Sequence, residues 1–461
     1  MPVFKLSTIL VLIAMMIISI LSLIIPEKNL YLLFGVLLSV AVMHLWGQKK
    51  FIPLMSPMII LFVYITVSML FGGWAHLNGY VLSKKQLIAF SEWQNYRVSV
   101  VYYILSLSII YFIDSYYRNK YLNDVILVGQ RVKMLNISYP VLQVFIAIPF
   151  IFISFEAAWF GGDGDLSKVF ILVAVFSIAA YIASNRDKYS AISRLFIYMA
   201  MVILLASISV NDKREAIFSI LPILLLESYY GKWVVNVRLV LYFCLLLMIT
   251  LVLILMMSIS RGYGSFGSVG FLESFLYVVP YIKSEGFIAK LMNNLEFNYV
   301  YFHSLNAIES VLNDSDLIEY GSTIIKFIFI GIPRSIFSDK PDSIIHLYTN
   351  HYNPALRELG GSYPVNIVSE MFWNFHFFGL IGVSVVSITI LKIYYFFLLR
   401  FPTYSAPTIS FGMFSYMFSL VWFRGSGLDM YLVYVLFSFF VISLAYISYQ
   451  LLMKSSGYII K

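Results

Sequence analysis

Charge is what this chain has least of. Asp, Glu, Lys and Arg make up 12% of its 461 residues, against roughly 25% in a soluble domain, which excludes a globule whose whole surface faces water. Cysteine is almost missing: Cys244 stands alone inside an apolar run, so no internal disulfide can form and no thiolate metal site is on offer. Fixed-period repeats, low-complexity tracts and a linker between domains are also lacking. So is any stripe of basic residues. The net charge is +8, but its lysines and arginines are scattered through short segments between apolar runs, which excludes nucleic acid as a partner.

What is there is hydrophobic, 61% of all residues, and aromatic, 18%. Runs of about twenty apolar residues recur from end to end, and each can cross roughly 30 Å of hydrocarbon only as a helix, because lipid offers no partner to a free backbone amide. The fold class is therefore all-α: a polytopic integral membrane protein of about twelve transmembrane helices with one large outer loop between the ninth and tenth. The predicted spans are 6–25, 29–46, 54–72, 98–114, 138–159, 168–183, 195–210, 215–229, 239–258, 371–397, 406–423 and 430–452. The first has no small-residue cleavage site before Pro26 and reads as an uncleaved span.

With the N-terminus inside, the inner segments collect Lys49, Lys50, Arg118, Lys120, Arg131, Lys133, Arg186, Lys188, Arg194, Lys232, Arg238 and Arg400, whereas the short outer loops carry few cations. Basic residues in short loops stay in the cytoplasm, so both termini are predicted inside. The whole of 1–461 reads as one membrane domain, with 259–370 an outer cap whose segments 271–282 and 322–333 are apolar enough to lie at the interface or re-enter the membrane.

Several side chains of the outer face can carry chemistry. Arg214, Arg261, Arg334, Lys340, Arg357 and Arg424 are cations kept outside against the usual bias. Any one could snorkel to headgroup phosphate, but guanidinium forks converging on one vestibule suit a lipid-linked diphosphate. Glu370 opens the tenth span and Glu156 lies near the outer end of the fifth. An acid within a span is costly to bury and therefore a functional candidate, with a structural ion pair as the alternative. Of the two, Glu370 has the better case as a general base. His346 and His351 are further acid or base candidates, and His303 and His376 fall in or beside the same loop without the i, i+4 pairing of a helical zinc site. Asp163-Gly164-Asp165 and Asp314-Ser315-Asp316 read as turns before they read as metal ligands. No metal and no cofactor is expected. Tyr263, Tyr348, Tyr352 and Tyr363 could line a sugar groove.

Ile332-Pro333-Arg334, Asp339-Lys340-Pro341, Gly360-Gly361, Pro364, Ser369-Glu370, Asn374-Phe375 and Gly379 together resemble the O-antigen (oligosaccharide repeat-unit) polymerases of the Wzy family, as do the segment 211–225 and Arg424-Gly425. The likeness is clearest over the last third of the chain. The Arg-to-Gly spacing described for the outer loops of some members is absent, since Leu272 and Ile345 stand at the corresponding places. The resemblance implies glycosyl transfer on the periplasmic face of a Gram-negative inner membrane, in lipopolysaccharide biosynthesis. A growing glycan would leave its undecaprenyl diphosphate and join a new lipid-linked repeat unit. The implied partners are undecaprenyl-diphosphate-linked oligosaccharide, membrane lipid and a chain-length-regulating co-polymerase. A ligase passing the glycan to another acceptor, and a lipid-linked oligosaccharide flippase, are the alternative readings, the latter disfavoured by the long cap.

Overall fold

A computed structural model of the chain describes residues 6–81, 93–131, 165–208, 213–260, 269–329, 335–400 and 406–428, together with a few isolated positions and short helical pieces between 431 and 451. Helices make up the regular structure, and no strand occurs among the described residues. The first four helices are α1 Leu6–Ile24, α2 Leu32–Trp46, α3 Pro57–Leu77 and α4 Trp93–Arg131. They are followed by α5 Asp165–Ser184, α6 Ala191–Ile208, α7 Lys213–Gly231 and α8 Val237–Ser260. The cap region holds α9 Phe287–Asn294, α10 Phe297–Asn313 and α11 Ile344–Tyr352, and the chain continues through α12 Ile367–Phe375, α13 Gly379–Arg400 and α14 Ala406–Val421.

Among the described residues, five helical stretches are long and apolar enough to cross a membrane: Glu27–Trp46, Pro57–Leu77, Gln94–Val125, Leu239–Ser260 and, interrupted by a 3-10 turn, Ile367–Leu399. Shorter apolar helices cover Thr8–Ile24, Leu172–Ala183, Ala191–Ile203 and Phe218–Gly231. Leu10, Met16, Ile20 and Leu23 of α1, Leu241, Leu245 and Met248 of α8, and Ile381 and Val385 of α13 are all exposed. Apolar side chains displayed at this density along helix flanks have hydrocarbon as their natural solvent. The predicted span 138–159, with Glu156, lies outside the described residues.

Two predicted spans differ from the helices observed. The span read as 98–114 belongs to the 39-residue α4, about 58 Å long at 1.5 Å per residue. Hydropathy stops at Asp114 because it counts charges singly, but here Asp114 and Arg118 neutralise each other one turn apart at 2.7 Å, both fully buried. Ser56 donates a further hydrogen bond to Asp114. The span read as 371–397 is broken. α12 ends at Phe375, a short 3-10 turn opens at His376, whose φ is 53°, and α13 begins at Gly379. Glu370 therefore lies inside a nine-residue helix rather than at the mouth of a long one.

By contacts the chain divides into two compact units, 1–122 with 234–392 and 420–430, and 123–233 with 393–419 and 431–461. Each is assembled from separated stretches, so no linker marks either one in the sequence. In the first, α10 of the cap lies directly on α3. A Cβ at Gly72 would fall 2.4 Å from the Tyr301 Cβ and 2.6 Å from the Phe297 carbonyl oxygen, so only glycine admits this approach. Residues 271–282 form a 3-10 turn and a short helix that bury Val278 and Tyr281 against Leu255, Met256 and Ile259 of α8 and leave Leu272, Phe275, Leu276 and Val279 exposed. In the second unit, α5 and α6 both pack on α7. Arg194 of α6 is locked in place: its Nε donates to Glu227 at 2.9 Å, its Nη1 to the Tyr189 carbonyl at 2.8 Å, and Tyr198 donates to the same carboxylate at 2.7 Å.

Candidate functional site

The beginning of α12 is anchored before its acid is placed. Asn366 caps the helix by accepting from the Val368 and Ser369 amides at 3.1 and 3.2 Å, which satisfies two donors that the first turn leaves open. Its amide nitrogen donates to Ser304 Oγ of α10 at 2.6 Å, and Tyr103 of α4 donates to its Oδ1 at 2.9 Å. Ser369 Oγ donates to the Ser304 carbonyl at 2.8 Å. Three helices thus fix the residues just ahead of Glu370.

Glu370 itself is 1% exposed. Thr323 Oγ1 donates to its Oε1 at 3.3 Å and the Trp422 indole to its Oε2 at 3.4 Å. Asn374, one turn on, donates to Thr323 Oγ1 at 2.8 Å and to the Glu370 carbonyl at 2.9 Å. These two hydrogen bonds are long and come from neutral groups, and they orient the carboxylate.

Arg424 lies two residues beyond Trp422, in the π-helical turn Trp422–Ser426 that ends α14. π turns inside helices mark functional positions more often than chance. This turn is wound tightly: Gly425 has φ 134° and Gly427 φ 81°. A Cβ at Gly425 would lie 2.8 Å from the Val365 amide nitrogen and 3.0 Å from Pro364 Cβ. The turn therefore nests against the residues leading into α12, and the Arg424 side chain is left 2% exposed, ion-paired with Glu296. Glu296 occupies the joint between α9 and α10 with φ 63°, a left-handed conformation that costs a non-glycine residue about 1–3 kcal/mol.

The turn that carries Arg424 is thus tied to Glu370, 54 positions earlier in sequence, through the Trp422 side chain. Lys340 donates to the Ile332 carbonyl at 3.2 Å, and Arg357 is half-exposed in the short helix Pro354–Glu358. Arg214 opens α7 in the second unit, while its side chain lies outside the described residues, as do Arg261 and Arg334 entirely. His346 Nδ1 stands 3.9 Å from Asp342. His351 is exposed, edge-on to Trp373 at 6.2 Å between ring centroids. Asp314 accepts from the Asp316 amide at 3.0 Å, an ordinary turn. No group of three or more potential metal ligands occurs among the described residues.

Sequence reading did not single out Thr323, Trp422 and Glu296, whose roles depend on neighbours distant in the chain. It noted His303 without assigning it a role. His303 is 1% exposed, stacked on Tyr363 at 4.1 Å between centroids, and its Nδ1 is 2.9 Å from the Tyr348 hydroxyl. That hydroxyl donates to Asn306 at 2.9 Å, so the proton between histidine and tyrosine belongs to Nδ1. Nε2 is left as a buried acceptor with no hydrogen bond. Burial, reinforced by His76, holds the imidazole neutral, with its pKa lowered to about 3.

Compared with protein-family models, curated proteins and solved structures, the chain matches none of them.

Proposed function

We propose that this protein is a membrane glycosyltransferase that polymerises undecaprenyl-diphosphate-linked oligosaccharide repeat units into an O-antigen-type polysaccharide. One observation supports this reading above the others. A buried carboxylate, Glu370, accepts from Trp422, and a buried guanidinium, Arg424, follows two residues later in the same turn; both lie in the segments that resemble the Wzy polymerases.

The proposed reaction needs those two groups. An acceptor hydroxyl of the incoming repeat unit bonds to the anomeric carbon of the growing glycan, while the bond from that carbon to the carrier diphosphate breaks. The bonding electrons leave with the diphosphate, and the hydroxyl proton goes to Glu370. Thr323 and Trp422 hold the carboxylate in place, as a positioned proton acceptor requires. Arg424 neutralises the developing charge on the diphosphate, for which a planar fork of donors is suited. The donor is already activated, so neither a nucleotide nor a metal is strictly required. In this reading the cluster faces the periplasm, both termini are cytoplasmic, and a co-polymerase sets chain length.

The test is polymer formation in a deletion strain carrying Glu370→Gln, which keeps the shape of the side chain and removes its basicity. A positioned general base contributes about 10²–10⁴ in rate, so surface lipid should carry mainly a single repeat unit. Polymer at the wild-type rate, from protein of equal abundance, would move the base elsewhere. Loss of every attached unit in the deletion strain would favour a ligase, and repeat units trapped inside the cell a flippase.

A further inference from the structure

We infer that Glu296 is a displaceable counter-ion, holding the Arg424 site closed until a diphosphate-bearing polyprenyl lipid takes its place. The inference rests on the reading above, in which Arg424 receives the carrier diphosphate, and it adds how that site is kept and opened.

A carboxylate and a phosphate present the same pair of oxygens to an arginine fork. Glu296 therefore occupies the position a phosphate would need. The two partners are not equally covered: the Arg424 side chain is 2% exposed and that of Glu296 15%. Glu296 is the more exposed of the pair, so an anion arriving from solvent meets Glu296 before Arg424.

The backbone is built to let it go. Glu296 forms the joint between α9 and α10 in a left-handed conformation, φ 63° and ψ 9°, and its side chain makes no capping bond to the helix it precedes. Its carboxylate pairs with Arg424, and a rearranged joint would recover the cost of the left-handed backbone. A second observation on the same joint points to a ligand. The Asn293 side chain is 8% exposed, and neither its amide nitrogen nor its oxygen makes a hydrogen bond. A buried amide left without both bonds is costly, and an arriving polar group would satisfy it. Neutralisation by Glu296 in the interim avoids an uncompensated guanidinium, which is far more costly to bury than a paired one.

The experiment uses the full chain in phosphatidylcholine nanodiscs with farnesyl diphosphate, inorganic diphosphate and farnesol as probes. Glu296→Gln should bind farnesyl diphosphate at least fivefold more tightly than wild type, and Arg424→Gln should abolish binding in either background. On wild-type protein, adding farnesyl diphosphate should speed amide exchange at 293–297, because the joint is released. Equal or weaker binding by Glu296→Gln, with no faster exchange in wild type, would overturn the inference and leave a purely structural bridge. Should Glu296→Gln fail to fold, the wild-type exchange decides alone. Equal affinity for inorganic diphosphate would overturn the lipid assignment. Absence of farnesyl diphosphate binding by folded wild type and Glu296→Gln alike would refute the diphosphate reading of Arg424 itself, and this inference with it.

Discussion

Replacing Gly425 by alanine places one methyl group where the structure has no room for it. The new Cβ would lie 2.8 Å from the Val365 amide nitrogen and 3.0 Å from the Val365 carbonyl carbon, atoms of a backbone that leads straight into α12 and cannot swing aside as a flexible side chain would. Two costs add. A non-glycine residue at φ 134° costs about 1–3 kcal/mol, and an overlap of this kind costs about 1–3 kcal/mol more. The expected loss is therefore about 2–6 kcal/mol, enough to move the turn that carries Arg424. Gly360 supplies the control, since its φ is 80° but nothing lies within 4 Å of a Cβ there. Gly360→Ala should lose only the conformational part. Denaturant titration of both variants in detergent, followed by tryptophan emission, separates the two contributions. Equal loss in both variants would show that the nesting of the turn against Pro364 and Val365 contributes nothing.

Burial of neutral His303 makes stability depend on pH. Its folded pKa, about 3, lies below the unfolded value of about 6.5, so the unfolded state binds the extra proton and stability falls as pH drops below that unfolded value. At pH 5 the loss should be about 2 kcal/mol, and a His303→Phe variant should lack that component; an unchanged pH profile in the variant would refute it. Asp114→Asn should destabilise the protein by about 3–5 kcal/mol by stranding a buried cation, and adding Arg118→Met should recover much of the loss. If the double variant is no better than the single, the pair is not the source of the cost. Ser315 is exposed in the cap, so Ser315→Cys in a Cys244→Ala background should react with an impermeant thiol reagent in intact spheroplasts, whereas labelling only after lysis would invert the proposed topology.

Apolar runs located the helices well because hydrocarbon leaves the backbone no other choice: α1, α6 and α8 begin and end within a few residues of the predicted spans. The discrepancies have specific causes. α4 overran its predicted end because Asp114 and Arg118 cancel across one turn, a spacing visible in the sequence but invisible to hydropathy. The break at His376 has no proline to announce it. It places Gly379 where a Cβ would meet the Met371 carbonyl oxygen at 2.4 Å, so tertiary packing sets the break. Glu370 and Arg424 were legible as unusual charges near span ends. The Trp422 link between their two segments was not, nor was Glu296, whose partner is 128 residues away.

The seating of α10 on Gly72 has a practical consequence for anyone wishing to study the cap in isolation. Tyr301 and Phe297 press against the α3 backbone itself, so the region 259–370 borrows one of its walls from a membrane helix. Cut out and expressed in water, it would present that wall as a bare aromatic strip. It should collapse or aggregate rather than fold. The reciprocal deletion would be no kinder, since α3 would face lipid with a groove shaped for a tyrosine. Loop and bundle are thus a single casting, and crystallisation chaperones, grafts or truncations are better directed at exposed turns such as 313–316 than at the junctions that bound the cap.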